Sequence, residues 1–163
     1  MSISKGSSGL SASIKSLAFS LIELLIALAI LGIAVTYGLS SYRQHVEKTE
    51  VIEAITDIKL ISVQLTDYQL TFGEFPESLA SVNLNMNDPW GNPYQYLPIA
   101  GNENLSGRGR LRKDKNLVPI NSDFDLYSMG KDGSSVGPLT ARQSRDDIVR
   151  ANNGRFIGKA EDY

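Results

Sequence analysis

A chain of 163 residues with a formal net charge of -2, no cysteine and one histidine has room for a single modest domain and leaves out several kinds of chemistry. It has no thiol nucleophile and no disulfide, and His45 alone cannot furnish zinc ligation or a histidine-based proton relay, so no enzyme constellation is predicted. The acidic balance argues against nucleic acid as a partner.

Residues 1–18, MSISKGSSGLSASIKSLA, are rich in Ser and Gly without apolar periodicity, which predicts a disordered leader that carries no fold information. They hold Lys5 and Lys15 and no acid, whereas residues 19–163 carry the remaining 14 of the 16 Lys and Arg against all 18 Asp and Glu. That asymmetry predicts a cytoplasmic amino terminus and a soluble domain across a membrane.

From Phe19 to Tyr42, the run FSLIELLIALAILGIAVTYGLSSY has Glu23 as its only charged side chain. At about 1.5 Å rise per residue it reaches roughly 36 Å, enough to cross a hydrocarbon core of about 30 Å. An acid in such a segment costs roughly 2.5–3.5 kcal/mol at mid-bilayer, so Glu23 calls for a partner. A secretory signal peptide would have a shorter apolar run and no need of Glu23, and a plain anchor explains neither the acid nor the Phe after a small residue.

The segment Lys15 to Glu23, KSLAFSLIE, resembles the processing site of the type IV pilin and type II secretion pseudopilin family, with Ala18 where the family normally has Gly. The resemblance implies cleavage between Ala18 and Phe19 by a prepilin peptidase, N-methylation of Phe19, and pairing of Glu23 with the Phe19 amine of a neighbouring subunit. In lipid, a carboxylate and an ammonium that neutralise each other favour lateral assembly in fixed axial register.

Beyond the apolar run, Val51, Ile55, Ile58, Ile61, Leu65, Tyr68 and Phe72 recur at spacings of three and four, which predicts that the helix continues and covers a small sheet. Glu50, Glu53, Asp57, Gln64 and Asp67 are expected on the opposite face, and Gly73 and Pro76 end the helix. A connector with Leu79, Val82 and Leu84 leads to DPWGNPYQY at 88–96, where two prolines and a glycine around Trp90 predict a turn that opens into a strand. This string is also similar to the segment before the sheet in major pseudopilins.

In 105–120, Arg108, Arg110 and Arg112 at period two predict a solvated edge strand. DFDLYSMG at 123–130 alternates Phe124, Leu126 and Ser128 against Asp125, Tyr127 and Met129, a strand with two usable faces. Strands near 94–98, 109–119 and 123–129 are therefore expected. The polar tail from Lys131 has little periodicity, and KDGSSVGP followed by SRDDIVRANNG resembles the calcium loop of major pseudopilins. The resemblance implies calcium held by Asp132, by Asp146 and Asp147, and by a backbone carbonyl near Met129; the spacing does not fit an EF-hand, and turn and cap roles for these acids are the alternative.

The expected fold is α+β: a long amino-terminal helix, membrane-spanning in its first half, packed on a small antiparallel three-stranded sheet with a loop-rich carboxy-terminal tail. The domains are a cleaved leader (1–18), a transmembrane and polymerisation helix (19–42) and a periplasmic domain (43–163). By resemblance the chain is a pseudopilus subunit of the inner membrane that homopolymerises to drive type II secretion, with other pseudopilins, the prepilin peptidase and an inner-membrane assembly platform with its ATPase as partners. A type IV pilus subunit for adhesion, motility or DNA uptake is the near alternative, set back because type IV pilins usually carry a carboxy-terminal disulfide. A membrane-anchored binding module that never polymerises is the distant one.

Overall fold

The computed structural model describes residues 20–101, 111–115 and 117–163. Leader residues 1–18, Phe19, Arg108 and Arg110 lie outside them. The chain divides into a unit ending at Tyr42 and a unit from Arg43 to Tyr163, and the helix α1, Leu21–Phe72, belongs to both.

Backbone hydrogen bonds fix the ends of α1. Ser20 O accepts the N–H groups of Glu23 and Leu24 at 3.0 and 3.1 Å, and Gly73, at φ 83°, donates its N–H to Gln69 O at 2.8 Å. A residue with no Cβ adopts this left-handed cap without steric cost, which is why the helix stops at Gly73. In the first unit every described residue is exposed, and the segment of α1 there is apolar on all sides. Such a surface needs lipid or other helices around it.

In the second unit Ala54, Ile58, Ile61 and Leu65 of α1 are fully buried against Leu79, Leu84, Tyr94, Phe124, Leu126 and Ile148. Val51 and Ile55 pack at the margin of this core. Phe72, expected in the same stripe, is exposed and stacks on Tyr68 with ring centroids 4.4 Å apart.

The sheet has four strands, β1 (Gln95–Pro98), β2 (Phe124–Ser128), β3 (Ile148–Ala151) and β4 (Phe156–Lys159), in that order with every neighbouring pair antiparallel. Register places Leu97 opposite Asp125, Tyr127 opposite Val149, and Ala151 opposite Phe156. Side chains alternate across the pleat. Phe124, Leu126 and Ile148 therefore join the helix side, while Val149 and Ala151 join Ile120, Leu139 and Ala160 in a second apolar cluster on the other side, with Tyr127 and Phe156 packed against it.

Two expectations are corrected. No strand forms in the described part of 109–119, where only isolated bridges occur, Lys113 with Pro138 and Asp114 with Leu117. Lys115 turns the chain at φ 45° and Pro119 has no N–H to donate, so a ladder cannot run through the segment. The sheet gains its third and fourth strands from the tail instead. Both faces of β3 are buried, which erases the alternation that would have marked it.

Candidate functional site

Glu23 lies in the first turn of α1, the first acid of a helix whose neighbouring side chains Leu21, Ile22, Leu24 and Leu25 are all more than half exposed. Negative charge there is favoured by the free N–H groups at the helix start. Ala18 and Phe19, the processing pair, are outside the described residues.

The helix is fastened to the sheet through the DPWGNPY turn. Asp88, buried, accepts the N–H groups of Trp90 and Asn92 on Oδ1 at 3.1 and 2.7 Å and the Ser128 hydroxyl on Oδ2. Asn92 Nδ2 donates to Gly130 O at 3.0 Å, so the turn is tied to the end of β2. From the same turn Trp90 Nε1 donates to Glu50 at 2.9 Å and the Tyr94 hydroxyl donates to Asp57 at 2.9 Å. Glu50 and Asp57 were expected on the solvent face; each is half-buried and holds a partner from the turn. Nearby, Lys131 and Glu47 form an exposed ion pair that adds little, because water screens it.

Burial and the Asp57 carboxylate push the Tyr94 phenol well above the ordinary tyrosine range, and burial does the same to Tyr96, which donates to Pro76 O at 2.9 Å. A phenol raised in the folded state is neutral there and ionises first in the unfolded chain. Its contribution is therefore complete below about pH 10 and lost as pH rises further. In an alkaline titration, tyrosinate absorbance from these two residues should appear together with loss of the circular dichroism signal. Ionisation of all 7 tyrosines while the fold persists would contradict this.

The acids expected to hold calcium are not gathered into one cage. Asp132 is exposed, accepts the Ser134 N–H on its own Oδ1 at 2.7 Å, and donates its backbone N–H to Asp146 Oδ2 at 3.1 Å. These two meet beside Gly130, as the loop after β2 passes Asp146. Asp147 instead points inward and is fully buried. Its Oδ2 accepts Arg112 Nη2 at 2.5 Å and the Ser135 hydroxyl at 2.5 Å. Burial pushes the Asp147 and Asp125 carboxyls up, opposed in each case by hydrogen bonds and by the Arg112 charge. Asp147 Oδ1 and Arg112 Nε are buried without a hydrogen-bond partner. A calcium ion takes six to eight oxygens, and Asp147 Oδ1 is the one oxygen of that carboxylate left free of a donor. Among the described residues no three acidic or histidine side chains converge, so the donor set as placed does not fit the ion.

Two residues central to this end of the domain were not foreseen. Arg112, expected on a solvated edge, is 2% exposed. Arg150, in the middle of β3, stacks its guanidinium 3.9 Å from the Phe124 ring and forks onto Asp123, with Nη1 to Oδ1 at 2.8 Å and Nη2 to Oδ2 at 2.6 Å. A planar fork matched to both carboxylate oxygens is the strong form of the ion pair.

Comparison with known proteins matches residues 15–38 to the prokaryotic N-terminal methylation motif. The chain is 28% identical over 141 residues to the type II secretion system core protein G of Pseudomonas aeruginosa, covering 73% of this chain and 86% of that protein. The protein of the same name from Vibrio cholerae is 26% identical over 147 residues, 77% of this chain and 88% of its own. The type IV major pilin protein PilE of Neisseria gonorrhoeae is 27% identical over 151 residues, 88% and 87% of the two chains. No solved structure matches. A methylation motif that runs into an apolar helical segment with Glu23 as its one acid, a helix continued onto an antiparallel sheet, and similarity along most of the chain to proteins of both kinds make this chain similar to the type IV pilins and the type II secretion core proteins G.

Proposed function

We propose that the chain is a structural, non-catalytic subunit of a pseudopilus that polymerises from the bacterial inner membrane and drives type II protein secretion. The observation that carries the filament reading is Glu23, an acid on a helix whose exposed apolar surface begins within the methylation motif. After removal of residues 1–18, the Phe19 amine of one subunit faces Glu23 of the next, and the paired charges set the register of the packed helices. The amino terminus then starts in the cytoplasm and residues 43–163 lie in the periplasm. Homopolymer contacts, other pseudopilins, a prepilin peptidase and an inner-membrane platform with its ATPase are the partners.

Secretion is favoured over a surface pilus by two features. The DPWGNPY turn, tied to Glu50, Asp57 and Ser128, sits where the resemblance to major pseudopilins lies. The chain also has no cysteine with which to form the carboxy-terminal disulfide usual in type IV pilins. The pilus reading draws on the similarity to PilE and to the type IV major fimbrial protein FimA of Dichelobacter nodosus. Deletion of the coding sequence in its own host separates the two. Loss of exported enzymes from the culture fluid with surface pili intact supports secretion, and the reverse pattern assigns a pilus.

Processing gives a second test. Intact mass of protein extracted from membranes should correspond to a chain starting at Phe19 with one added methyl group. Full-length chain alone, in cells with an active prepilin peptidase, would remove the filament reading.

A further inference from the structure

Two stretches far apart in sequence meet on one guanidinium. Arg112 Nη1 donates to Ser135 Oγ at 2.5 Å and to Val136 O at 2.8 Å, and Nη2 donates to Asp147 Oδ2 at 2.5 Å. Its Cζ lies 4.2 Å from the centre of the Tyr127 ring on β2, and its backbone N–H donates to Asp125 Oδ2 at 2.8 Å. A hydroxyl, a carbonyl and a carboxylate around one buried positive charge are the donor types that a hard metal ion collects. Here the charge at their centre belongs to the chain.

We infer that Arg112 is a built-in cation that replaces bound calcium, fastening the loop between β2 and β3 to the sheet without metal. Coulomb repulsion supports this: a divalent ion sharing Asp147 and Val136 O would sit a few ångströms from the guanidinium in a buried setting, where like charges repel far more strongly than in water. The negative charge of Asp147 is already matched by Arg112. Asp132 and Asp146, the other expected ligands, are joined to each other at the surface by a backbone hydrogen bond. A bound ion stabilises only in proportion to its concentration over its dissociation constant, whereas a covalently attached cation is always present. The loop is then held equally at every calcium level.

Melting of the full chain in detergent micelles, followed by circular dichroism in chelator and in millimolar calcium chloride, tests this. Wild-type protein should melt at the same temperature in both. Arg112→Gln, which leaves Asp147 buried and unpaired, should melt on the order of 10 °C lower in chelator, and calcium should recover part of the loss because the oxygens are now free of the guanidinium. Arg112→Lys keeps the charge but not the fork and should fall between them. A wild-type melting temperature raised several degrees by calcium, with saturable binding in calorimetry, would overturn the inference. So would Arg112→Gln melting like the wild type. If Arg112→Gln does not fold, the wild-type calcium arm and Arg112→Lys still decide, since a lysine variant as stable as wild type counts against the forked contact.

Discussion

Glu23→Ala is expected to yield protein that inserts and folds normally and forms no filament. The substitution removes the one charge from an otherwise apolar segment, which does not hinder insertion, since an acid costs roughly 2.5–3.5 kcal/mol at mid-bilayer and less towards the helix end. It leaves untouched the core of Ala54, Ile58, Ile61 and Leu65, which lies in the other unit. What disappears is the partner for a neighbouring amine. Helices whose apolar surfaces are as well solvated by lipid tails as by each other have little else to fix their axial register. Membrane fractionation should find the usual amount of monomer, and electron microscopy of sheared material should find polymer at background. Glu23→Asp, one methylene shorter, should restore part of the assembly. Normal filaments from Glu23→Ala would show that the acid is incidental and that register comes from the apolar side chains.

Gly130→Ala should be the most damaging glycine-to-alanine change among the described residues of the unit from Arg43 to Tyr163. Gly130 has φ 65°, where a side chain costs about 1–2 kcal/mol. A Cβ there would lie 2.5 Å from the backbone oxygen of Asp146 and 2.7 Å from its Oδ2. The first of these atoms belongs to the main chain entering β3 and cannot swing aside. The loop would have to lift, breaking the Asn92 bond to Gly130 O and the bond from the Gly130 N–H to Ser128 Oγ. A loss of roughly 3 kcal/mol or more and a melting temperature at least about 10 °C lower are expected. Gly133→Ala is the control. It has the same φ of 65°, but its added carbon would meet only side-chain atoms of Asn92, the nearest being Oδ1 at 3.1 Å, so a milder loss near the conformational cost alone should follow. Equal melting of the two variants would mean that the approach of Asp146 to Gly130 does not hold the loop.

The long helix was legible because its signals are periodic and local: an apolar run with Glu23 as its one charge, a stripe at spacings of three and four, and a glycine stop at Gly73. β1 and β2 were legible because Tyr94, Tyr96, Phe124 and Leu126 alternate with residues of the other face. β3 and β4 were not. Ile148 to Ala151 is buried on both faces and contains Arg150, which reads as a solvent residue until its guanidinium is seen lying over the Phe124 ring. β4 carries Gly158, whose missing side chain leaves room for the Phe156 ring, and glycine weakens any strand pattern. Of the helix acids, Glu53 and Asp67 are exposed as expected, while Glu50 and Asp57 are not: polar residues on a stripe opposite the core read as solvated, and nothing local announces that Trp90 and Tyr94 will arrive with donors for those two. Arg112 was recognised as part of a basic run and assigned to water. Pairing between Arg112 and Asp147, 35 positions apart, is a tertiary fact. Its faint signature is an acidic domain whose carboxylates Asp88, Asp123, Asp125 and Asp147 all need donors if they are to be covered.

Trp90 is the only tryptophan in the chain, and its indole N–H is held by Glu50 of α1. The protein therefore contains one indole emitter at one known place, half-buried at the junction of helix and turn. Indole emission shifts to the red as the ring is exposed to water, so the emission maximum reports whether the turn is seated on the helix. Red-shifted emission with an intact far-ultraviolet spectrum marks release of the turn from α1. An unchanged maximum in a variant with a protease-sensitive tail marks loosening confined to the region after β2. A native fluorophore thus separates, without labelling, two ways in which this domain can come apart.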